Sequence, residues 1–190
     1  MVVFSDIPQD CIIPTMKKYV AFLRAINVGG TKIIKMEDLK KYFESFGCVN
    51  VQTYINSGNV IFEAKESTGL EEKLEKHLEK ALGYKVETFL RAMDEVVKIA
   101  GKPAFEPQGD ETLHVVFLRS RQSVDKKSAQ DLLSLRSEAD DFAIAGNEVY
   151  NLRRDRDKSI FSNNFIEKTL KVEGTTRNIN TLRKIIEKYQ

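Results

Sequence analysis

The chain has 190 residues, of which 42% are hydrophobic and 31% are charged, a balance typical of folded globular proteins. No apolar run approaches the roughly 18 residues of a membrane-spanning helix, and residues 1–15 lack the basic start of a signal peptide. The composition therefore excludes a disordered, fibrous or membrane-embedded chain, and the presence of only two cysteines favours a cytoplasmic location. We interpret residues 1–16 as an N-terminal extension outside the fold.

The first half of the chain alternates short strands with amphipathic helices. Residues 19–24 (YVAFLR) form an apolar run of β-forming residues, which predicts a strand that ends before Gly29 and Gly30. Asn56-Ser57-Gly58 separates two further runs and indicates a hairpin, because Asn and Gly adopt positive φ readily. The other predicted strands are 49–55, 59–62 and 86–91, and the predicted helices are 36–46, 70–82 and 93–100.

A second block of the same kind begins after the Pro- and Gly-rich residues 101–110. The segment HVVFLR at 114–119 resembles YVAFLR, 95 residues earlier, and Gly146-Asn147 follows Gly58-Asn59 by 88 residues. The predicted strands here are 114–119, 141–144 and 148–152, and the predicted helices are 124–135, 160–170 and 179–189.

These landmarks recur in the same order, which predicts an internal duplication. We expect an α+β fold of two related β-α-β-β-α halves of the ferredoxin-like kind, packed together. The first half would span residues 17–103, and the second, with a C-terminal helix, residues 111–190. Strands such as 115–118 are apolar on both faces, so the other half or a second subunit should cover them. Nothing in the sequence indicates the oligomeric state.

Basic charge is concentrated at the two ends of the folded region. Residues 16–47 hold seven Lys/Arg against three Asp/Glu, and residues 151–190 hold ten against five. The middle, residues 48–150, holds thirteen against eighteen. This distribution suits an anionic partner, although solvated lysine faces produce the same pattern.

Motifs for metal binding and catalysis are missing. Cys11 and Cys48 have no polarising His nearby, and His77 and His114 are 37 residues apart, so we expect inert thiols and no metal site. Ser57 has no G-x-S-x-G context that would make it a nucleophile. The sequence indicates no cofactor and leaves open whether the protein is an enzyme.

Several longer segments resemble the domain-of-unknown-function family 1697. They are FLRAINVGGTKIIKMEDLKKYF, VQTYINSGNVIF, SNNFIEK and GTTRNINT, within a resemblance that spans about residues 17–190. The resemblance implies a two-part α/β fold and no established reaction. The family's signature polar positions fall on Arg24, Asn27, Gly29, Gly30, Ser57, Gly58, Asn59, Asn163, Thr176, Arg177, Asn178 and Thr181. One departure is Ile179, where the family often has an aromatic residue.

Two segments could bind an anion, and each has a simpler interpretation. The loop 27–35 lies between a strand and a helix, but it lacks P-loop spacing, and Glu37 and Asp38 in the following turn would repel an anion. A tight turn explains it as well. Asn178 is a plausible N-cap, and the next turn has no acid, so that Arg177 and this helix start could hold carboxylate or phosphate. An ordinary cap with Arg177 paired to an acid is the alternative.

The sequence supports three functional hypotheses. The first is a small anionic or phosphorylated ligand bound in a cleft between the halves, lined by the Gly-Gly loop, the hairpin at 56–59 and residues 175–178. The second is nucleic-acid binding through basic loops, including the charged run 153–158, which is also explained as a solvated loop. The third is a structural or protein-interaction module. We expect no membrane partner.

Overall fold

The computed structural model describes residues 16–27, 33–120 and 122–190. Within these residues the chain forms eight strands and six helices. The strands are β1 (Met16–Leu23), β2 (Val49–Tyr54), β3 (Asn59–Lys65), β4 (Thr88–Ala92), β5 (Thr112–Leu118), β6 (Asp140–Ala145), β7 (Glu148–Arg153) and β8 (Gly174–Asn178). The helices are α1 (Met36–Ser45), α2 (Leu70–Leu82), α3 (Met93–Gly101), α4 (Lys126–Ser134), α5 (Asn163–Leu170) and α6 (Ile179–Tyr189).

The strands form two four-stranded antiparallel sheets of the same topology. Their orders are β2-β3-β1-β4 and β6-β7-β5-β8. Each half therefore repeats β-α-β-β-α, and a fourth strand and a further helix complete the unit. This arrangement confirms the α+β fold of two related halves.

Strand pairing defines which residues of the two halves are equivalent. Phe22 lies opposite Asn59 in the first sheet, and Phe117 lies opposite Glu148 in the second. Asn59 is thus equivalent to Glu148, one residue later than the Gly-Asn repeat suggests. In β4 and β8, Arg91 and Arg177 are equivalent in the same way, since they pair with Val20 and Val115.

Three apolar layers hold the molecule together. Helices α1 and α2 cover the outer face of the first sheet, and α4 and α5 cover that of the second. The central core joins the inner faces of both sheets to α3 and α6. At its centre the rings of Phe22 and Phe117 stack with their centroids 4.1 Å apart. The other half therefore covers the inner face of each sheet, as the doubly apolar strands predict.

Two differences from the sequence expectation affect the site. Residues 174–178 form strand β8, although its sequence, GTTRN, has no apolar alternation. Helix α5 begins at Asn163 and not at 160, because the Ser162 hydroxyl accepts a 3.1 Å hydrogen bond from the Phe165 amide and caps the helix there.

The described part of the chain contains neither a candidate membrane-spanning helix nor a group of metal-ligating side chains. In residues 16–27, 33–120 and 122–190, no helix has both the length and the apolar character needed to cross a bilayer. In the same part of the chain, no three His, Cys, Asp or Glu side chains are grouped as metal ligands.

Candidate functional site

Arg177 of β8 crosses from the second half to the hairpin of the first. Its Nε donates a 2.6 Å hydrogen bond to Asn59 Oδ1, and its Nη2 donates to the carbonyl oxygens of Leu23 (2.8 Å) and Ser57 (2.9 Å). Its Nη1 donates to Thr175 Oγ1 and to the Thr176 carbonyl. The guanidinium thus joins β1, the β2–β3 hairpin and β8 at one point between the halves.

Every hydrogen-bond acceptor around Arg177 is neutral. Arg177 is only 8% exposed, and no carboxylate of the described residues lies within ion-pair distance. Burial without a counter-charge lowers the pKa of Arg177 to about 10. Buried charges in proteins are usually paired, so this cation is an exception that needs an explanation.

The equivalent arginine of the other half has the counter-charge that Arg177 lacks. The Nε of Arg91 donates a 2.7 Å hydrogen bond to the carboxylate of Glu148, where Arg177 meets the amide of Asn59. Two further contacts correspond, since Arg91 Nη2 donates to the Leu118 carbonyl at 2.8 Å and Arg91 Nη1 donates to the Leu90 carbonyl at 2.9 Å. The bonds of Arg177 to the Ser57 carbonyl and the Thr175 hydroxyl have no counterpart at Arg91. The two halves therefore share one arrangement and differ by one unit of negative charge.

The helices that follow the two arginines differ in the same direction. Helix α3 has Asp94 and Glu95 in its first turn, whereas the first turn of α6 has no acid. Thr181 occupies the place in α6 that Glu95 has in α3. Asn178 caps α6 by accepting a 2.8 Å hydrogen bond from the Asn180 amide, as predicted. The positive end of the α6 helix dipole therefore has no nearby acid to compensate it, and it lies next to the uncompensated guanidinium of Arg177.

Arg24, by contrast, has two acidic partners. Its Nη1 lies 2.8 Å from Glu87 and its Nη2 lies 2.6 Å from Glu167 of α5 in the other half. Asn163, one turn before Glu167, donates to the Gly174 carbonyl and accepts from the Thr176 hydroxyl. The Arg24–Glu167 pair therefore holds the second half against the end of β1, while Asn163 joins α5 to β8 within the second half.

The sequence Phe-Leu-Arg ends both YVAFLR (19–24) and HVVFLR (114–119), and this FLR repeat places Arg119 after β5 as it places Arg24 after β1. Arg119 Nη1 donates to Glu75 at 2.7 Å and to Glu71 at 3.2 Å, both on α2 of the first half. Burial alone would lower the pKa of Arg119, but the Glu75 hydrogen bond and the charges of Glu75, Glu71 and Glu173 outweigh burial and raise it. Each half thus sends two arginines into the other.

Asn27 joins residue 34 to the β2–β3 hairpin. Its Nδ2 donates to the carbonyls of Ile34 (3.0 Å) and Asn56 (3.1 Å), and its Oδ1 accepts from the Ile34 amide (2.7 Å). Asn27 has a φ of +56°, which Asn tolerates better than most residues. An opening of about 610 Å³ lies beside Asn27, Asn56 and residues 33–37. The predicted ligand contacts Gly29 and Gly30 lie outside the described residues.

Comparison with known proteins agrees with this architecture. The profile of a family described as "Protein of unknown function (DUF1697)" matches residues 16–150. The chain belongs to this family. A solved structure, conserved bacterial protein SP0830 from Streptococcus pneumoniae, is 25% identical with a TM-score of 0.70, over 91% of this chain and 98% of that one. No curated protein matches the chain.

The polar residues that the resemblance suggests as a site lie in several parts of the structure. Arg24, Ser57, Asn59 and Arg177 take part in contacts between the halves. Asn163, Thr176, Asn178 and Thr181 lie on α5, on β8 and in the first turn of α6, and Asn27 bonds to Ile34 and Asn56 of the first half. Asn163 and the positions after it lie beyond the matched residues 16–150. Ile179 is buried in the central core.

Sequence reasoning missed the partners of these residues. The acids Glu87 and Glu167 that hold Arg24, and the Arg91–Glu148 pair, carry no local motif. The FLR repeat was a usable signal, because duplicated arginines at strand ends suggest reciprocal contacts between halves. The charged run 153–158 has internal partners, since Arg154 pairs with Glu111 and Asp141 and Lys158 pairs with Asp155.

His114 gives the fold a predicted sensitivity to acid. Burial, and then the charge of Arg153, lower the pKa of His114 from 6.5 to about 4, against an opposing effect of Asp140. Between these two pH values the unfolded chain binds a proton that the folded chain does not. The free energy of unfolding is therefore not reduced by His114 above pH 6.5. Acidification to pH 4 should lower it by roughly 2 kcal/mol after allowance for partial exposure.

Urea unfolding at pH 7 and pH 4 tests this prediction. The variant His114→Gln should lose less stability between the two pH values than the wild type does. An equal loss in wild type and His114→Gln would contradict the prediction.

Proposed function

We propose that the protein binds a small anionic or phosphorylated ligand between its halves, next to Arg177, Ser57 and the start of α6. In this proposal each half is a ferredoxin-like unit and the protein acts in the cytoplasm. The observation that carries it is the buried charge of Arg177, which meets only neutral acceptors while its equivalent Arg91 meets Glu148.

The cost of burying an unpaired cation supports this proposal. An ionised group removed from water is unfavourable by several kcal/mol or more unless a counter-charge compensates it. A ligand anion would supply at this junction the charge that Glu148 supplies at the other. Because the guanidinium donors already have protein acceptors, Arg177 attracts the ligand through its charge. The exposed Ser57 and half-buried Thr181 offer hydroxyl groups for direct contact.

Nucleic-acid binding is less well supported by the geometry. Ferredoxin-like RNA-binding domains stack bases on aromatic residues of an open sheet face. Here helices cover the outer face of each sheet, and the central core covers the inner face. A nucleic acid would therefore have to bind to basic loops and not to the sheets. The binding experiment described below distinguishes this alternative from the binding of a small anion.

We expect Asn59→Asp to weaken anion binding about tenfold, because a carboxylate at this position neutralises Arg177 as Glu148 neutralises Arg91. The probes are inorganic phosphate, pyrophosphate, nucleoside monophosphates and sugar phosphates. Thermal shift serves as the screen, and calorimetric titration at 25 °C gives the affinity of any probe that binds. Titrating folded protein separates the affinity from the loss of the two hydrogen bonds that Asn59 donates to Tyr54 and Ser57.

Glu148→Gln is the reciprocal variant, since it removes the counter-charge of Arg91. It should leave the anion affinity of the Arg177 site unchanged and should give Arg91 the uncompensated charge that Arg177 has in the wild type. Wild-type protein that binds none of the probes, or an Asn59→Asp variant that binds as tightly as wild type, would overturn the proposal. Binding of mixed RNA or DNA oligonucleotides with steep salt dependence, and of no small anion, would favour the nucleic-acid hypothesis.

A further inference from the structure

Carboxylates line the outer edge of β4, the last strand of the first sheet. The amides of Thr88, Leu90 and Ala92 point away from β1, and each donates a hydrogen bond of 2.7–2.8 Å to a glutamate. The three acceptors are Glu75 and Glu71 of α2 and Glu95 of α3. Every second amide of β4 therefore has a carboxylate where a neighbouring strand would otherwise pair.

The equivalent edge of β8 has fewer carboxylates. Pairing with β5 places Gly174, Thr176 and Asn178 where these three residues of β4 pair with β1, so their amides point away from β5. The Gly174 amide donates to Glu167 of α5 at 2.8 Å. The amides of Thr176 and Asn178 have no acceptor in residues 16–27, 33–120 and 122–190. Two donors of β8 therefore lack the carboxylates that their counterparts in β4 bind.

Asn163 explains the first of these two differences. On α2, Glu71 lies four residues before Glu75, and on α5, Asn163 lies four residues before Glu167. Glu75 and Glu167 bind the equivalent amides at the start of β4 and β8, so Asn163 occupies the place of Glu71. A neutral amide group therefore stands where the first half has a carboxylate.

Thr181 explains the second difference. It has the third position of α6, where Glu95 of α3 closes a capping box on the amide at the end of β4. Asn59 replaces Glu148 as the partner of Arg177 in the same way. Three carboxylates around β4 thus correspond to three neutral side chains around β8, and the missing negative charge is concentrated beside one strand.

The edge of β8 is suited to a ligand that only accepts hydrogen bonds. The Gly174 carbonyl already accepts from Asn163 Nδ2 at 3.0 Å, and the Thr176 carbonyl accepts from Arg177 Nη1 at 2.8 Å. An added peptide strand would need these carbonyls as well as the amides, whereas an anion needs the amides alone. The bond from Arg177 also places its guanidinium, whose acceptors in the described chain are all neutral, at this edge.

We propose that the ligand of the anion site next to Arg177 carries two anionic groups about 7 Å apart, one bound to the amide of Thr176 and the other to that of Asn178. This ligand class, which includes dicarboxylates and bisphosphates, depends on the proposed function. Two residues of a strand separate the amides by that distance, and in the first half the separate carboxylates of Glu71 and Glu95 hold the equivalent pair. A single carboxylate or phosphate is too small to reach both amides.

Calorimetric titration of the wild-type protein with matched probes tests the number and spacing of the anionic groups. Glutarate is compared with butyrate, and propane-1,3-bisphosphonate with propylphosphonate, so that each pair differs by one anionic group. We expect the two-headed member of at least one pair to bind about tenfold more tightly than its partner, because it forms a second hydrogen bond to a charged group. Malonate and methylenebisphosphonate have the same anionic groups on shorter spacers and should lose most of this gain. The pair that shows the gain identifies the chemistry as carboxylate or phosphate.

Thr181→Glu restores the carboxylate that the equivalent helix has at its start. It should accept from the Asn178 amide as in a capping box, so the two-headed probe should bind no more tightly than its single-headed partner. Asn180→Glu is the control, since it adds the same charge in the same turn at an exposed position. If Asn180→Glu removed the difference as well, charge and not position would decide the affinity, and the proposal would be overturned.

Amide hydrogen exchange of the wild-type protein reports on the two donors directly. In the free protein, the amides of Thr176 and Asn178 should exchange faster than those of Leu90 and Ala92, and a bound two-headed probe should slow both. Equal exchange at the four amides, or equal binding of both members of each pair while Asn59→Asp weakens both, would overturn the two-group ligand and leave the anion site intact. Failure of every probe to bind the wild type would overturn the anion site together with its ligand class.

Discussion

Arg119→Met is expected to lower the free energy of unfolding by about 3–5 kcal/mol, the usual effect of breaking a buried ion pair from one side. Arg119 is only 9% exposed and bonds to Glu71 and Glu75 of the other half and to Glu173 of its own. Methionine fills similar space over the Phe89 ring but leaves these carboxylates without their cation. Urea denaturation at pH 7 measures the loss.

Arg183→Met is the matched control for this substitution. Arg183 pairs with Glu106 at 3.0 Å, but 41% and 66% of the two side chains are exposed, so the change should be under about 1 kcal/mol. A double-mutant cycle with Glu75→Gln then isolates the direct coupling between Arg119 and α2. If Arg119→Met were no more destabilising than Arg183→Met, the buried cluster would not hold the halves together.

The reciprocal arginines give a physical meaning to the sequence duplication. Arg24 and Arg119 reach acids on the second helix of the opposite half, and Arg91 and Arg177 reach the opposite hairpin. Since all four cross the same junction, neither half can present its inner sheet face to solvent without breaking them. This coupling makes the two halves one structural unit, with the departure at Asn59 as its main asymmetry.

The architecture was predictable because it depends on local patterns. The strands at 19–24 and 114–119 are apolar runs, and the hairpin at Gly58 contains residues suited to positive φ. Strand β8 was missed for a physical reason, since its buried residues Thr175 and Arg177 satisfy polar groups and show no apolar alternation.

The chemistry of the junction was only partly predictable. Asn178 as an N-cap followed from local sequence and is confirmed. The neutral surroundings of Arg177 could not be predicted, because they depend on Asn59, which is 118 residues away in the chain. The 88-residue offset between Gly58-Asn59 and Gly146-Asn147 suggests that Asn59 is equivalent to Asn147, which is wrong. Pairing across the sheet, and not residue identity, makes Asn59 equivalent to Glu148.

Gly58→Ala is expected to destabilise the protein by about 2–4 kcal/mol through backbone strain and overpacking together. Gly58 has a φ of +78°, and an added Cβ would lie 2.7 Å from Ile26 Cδ1 and 2.9 Å from Leu23 Cβ. The end of the Ile26 side chain can shift. Leu23 Cβ cannot, because it is attached to the backbone of β1, where the Leu23 carbonyl accepts a hydrogen bond from Arg177. Thermal and urea unfolding of the variant measure the loss.

Gly146→Ala provides the control, because Gly146 also has a positive φ, in the shorter hairpin of the second half, but lacks the crowding. Gly146 has a φ of +61°, and an added Cβ would come no closer than 3.6 Å to its nearest neighbour, Glu148 Oε2. Only the conformational strain remains, so the loss should be about 1 kcal/mol. Equal losses at the two glycines would mean that the hairpin of the first half is not packed tightly against Leu23 and Ile26. The position of the Ser57 and Gly58 carbonyls around Arg177 depends on that packing, so the comparison also tests the geometry of the proposed anion site.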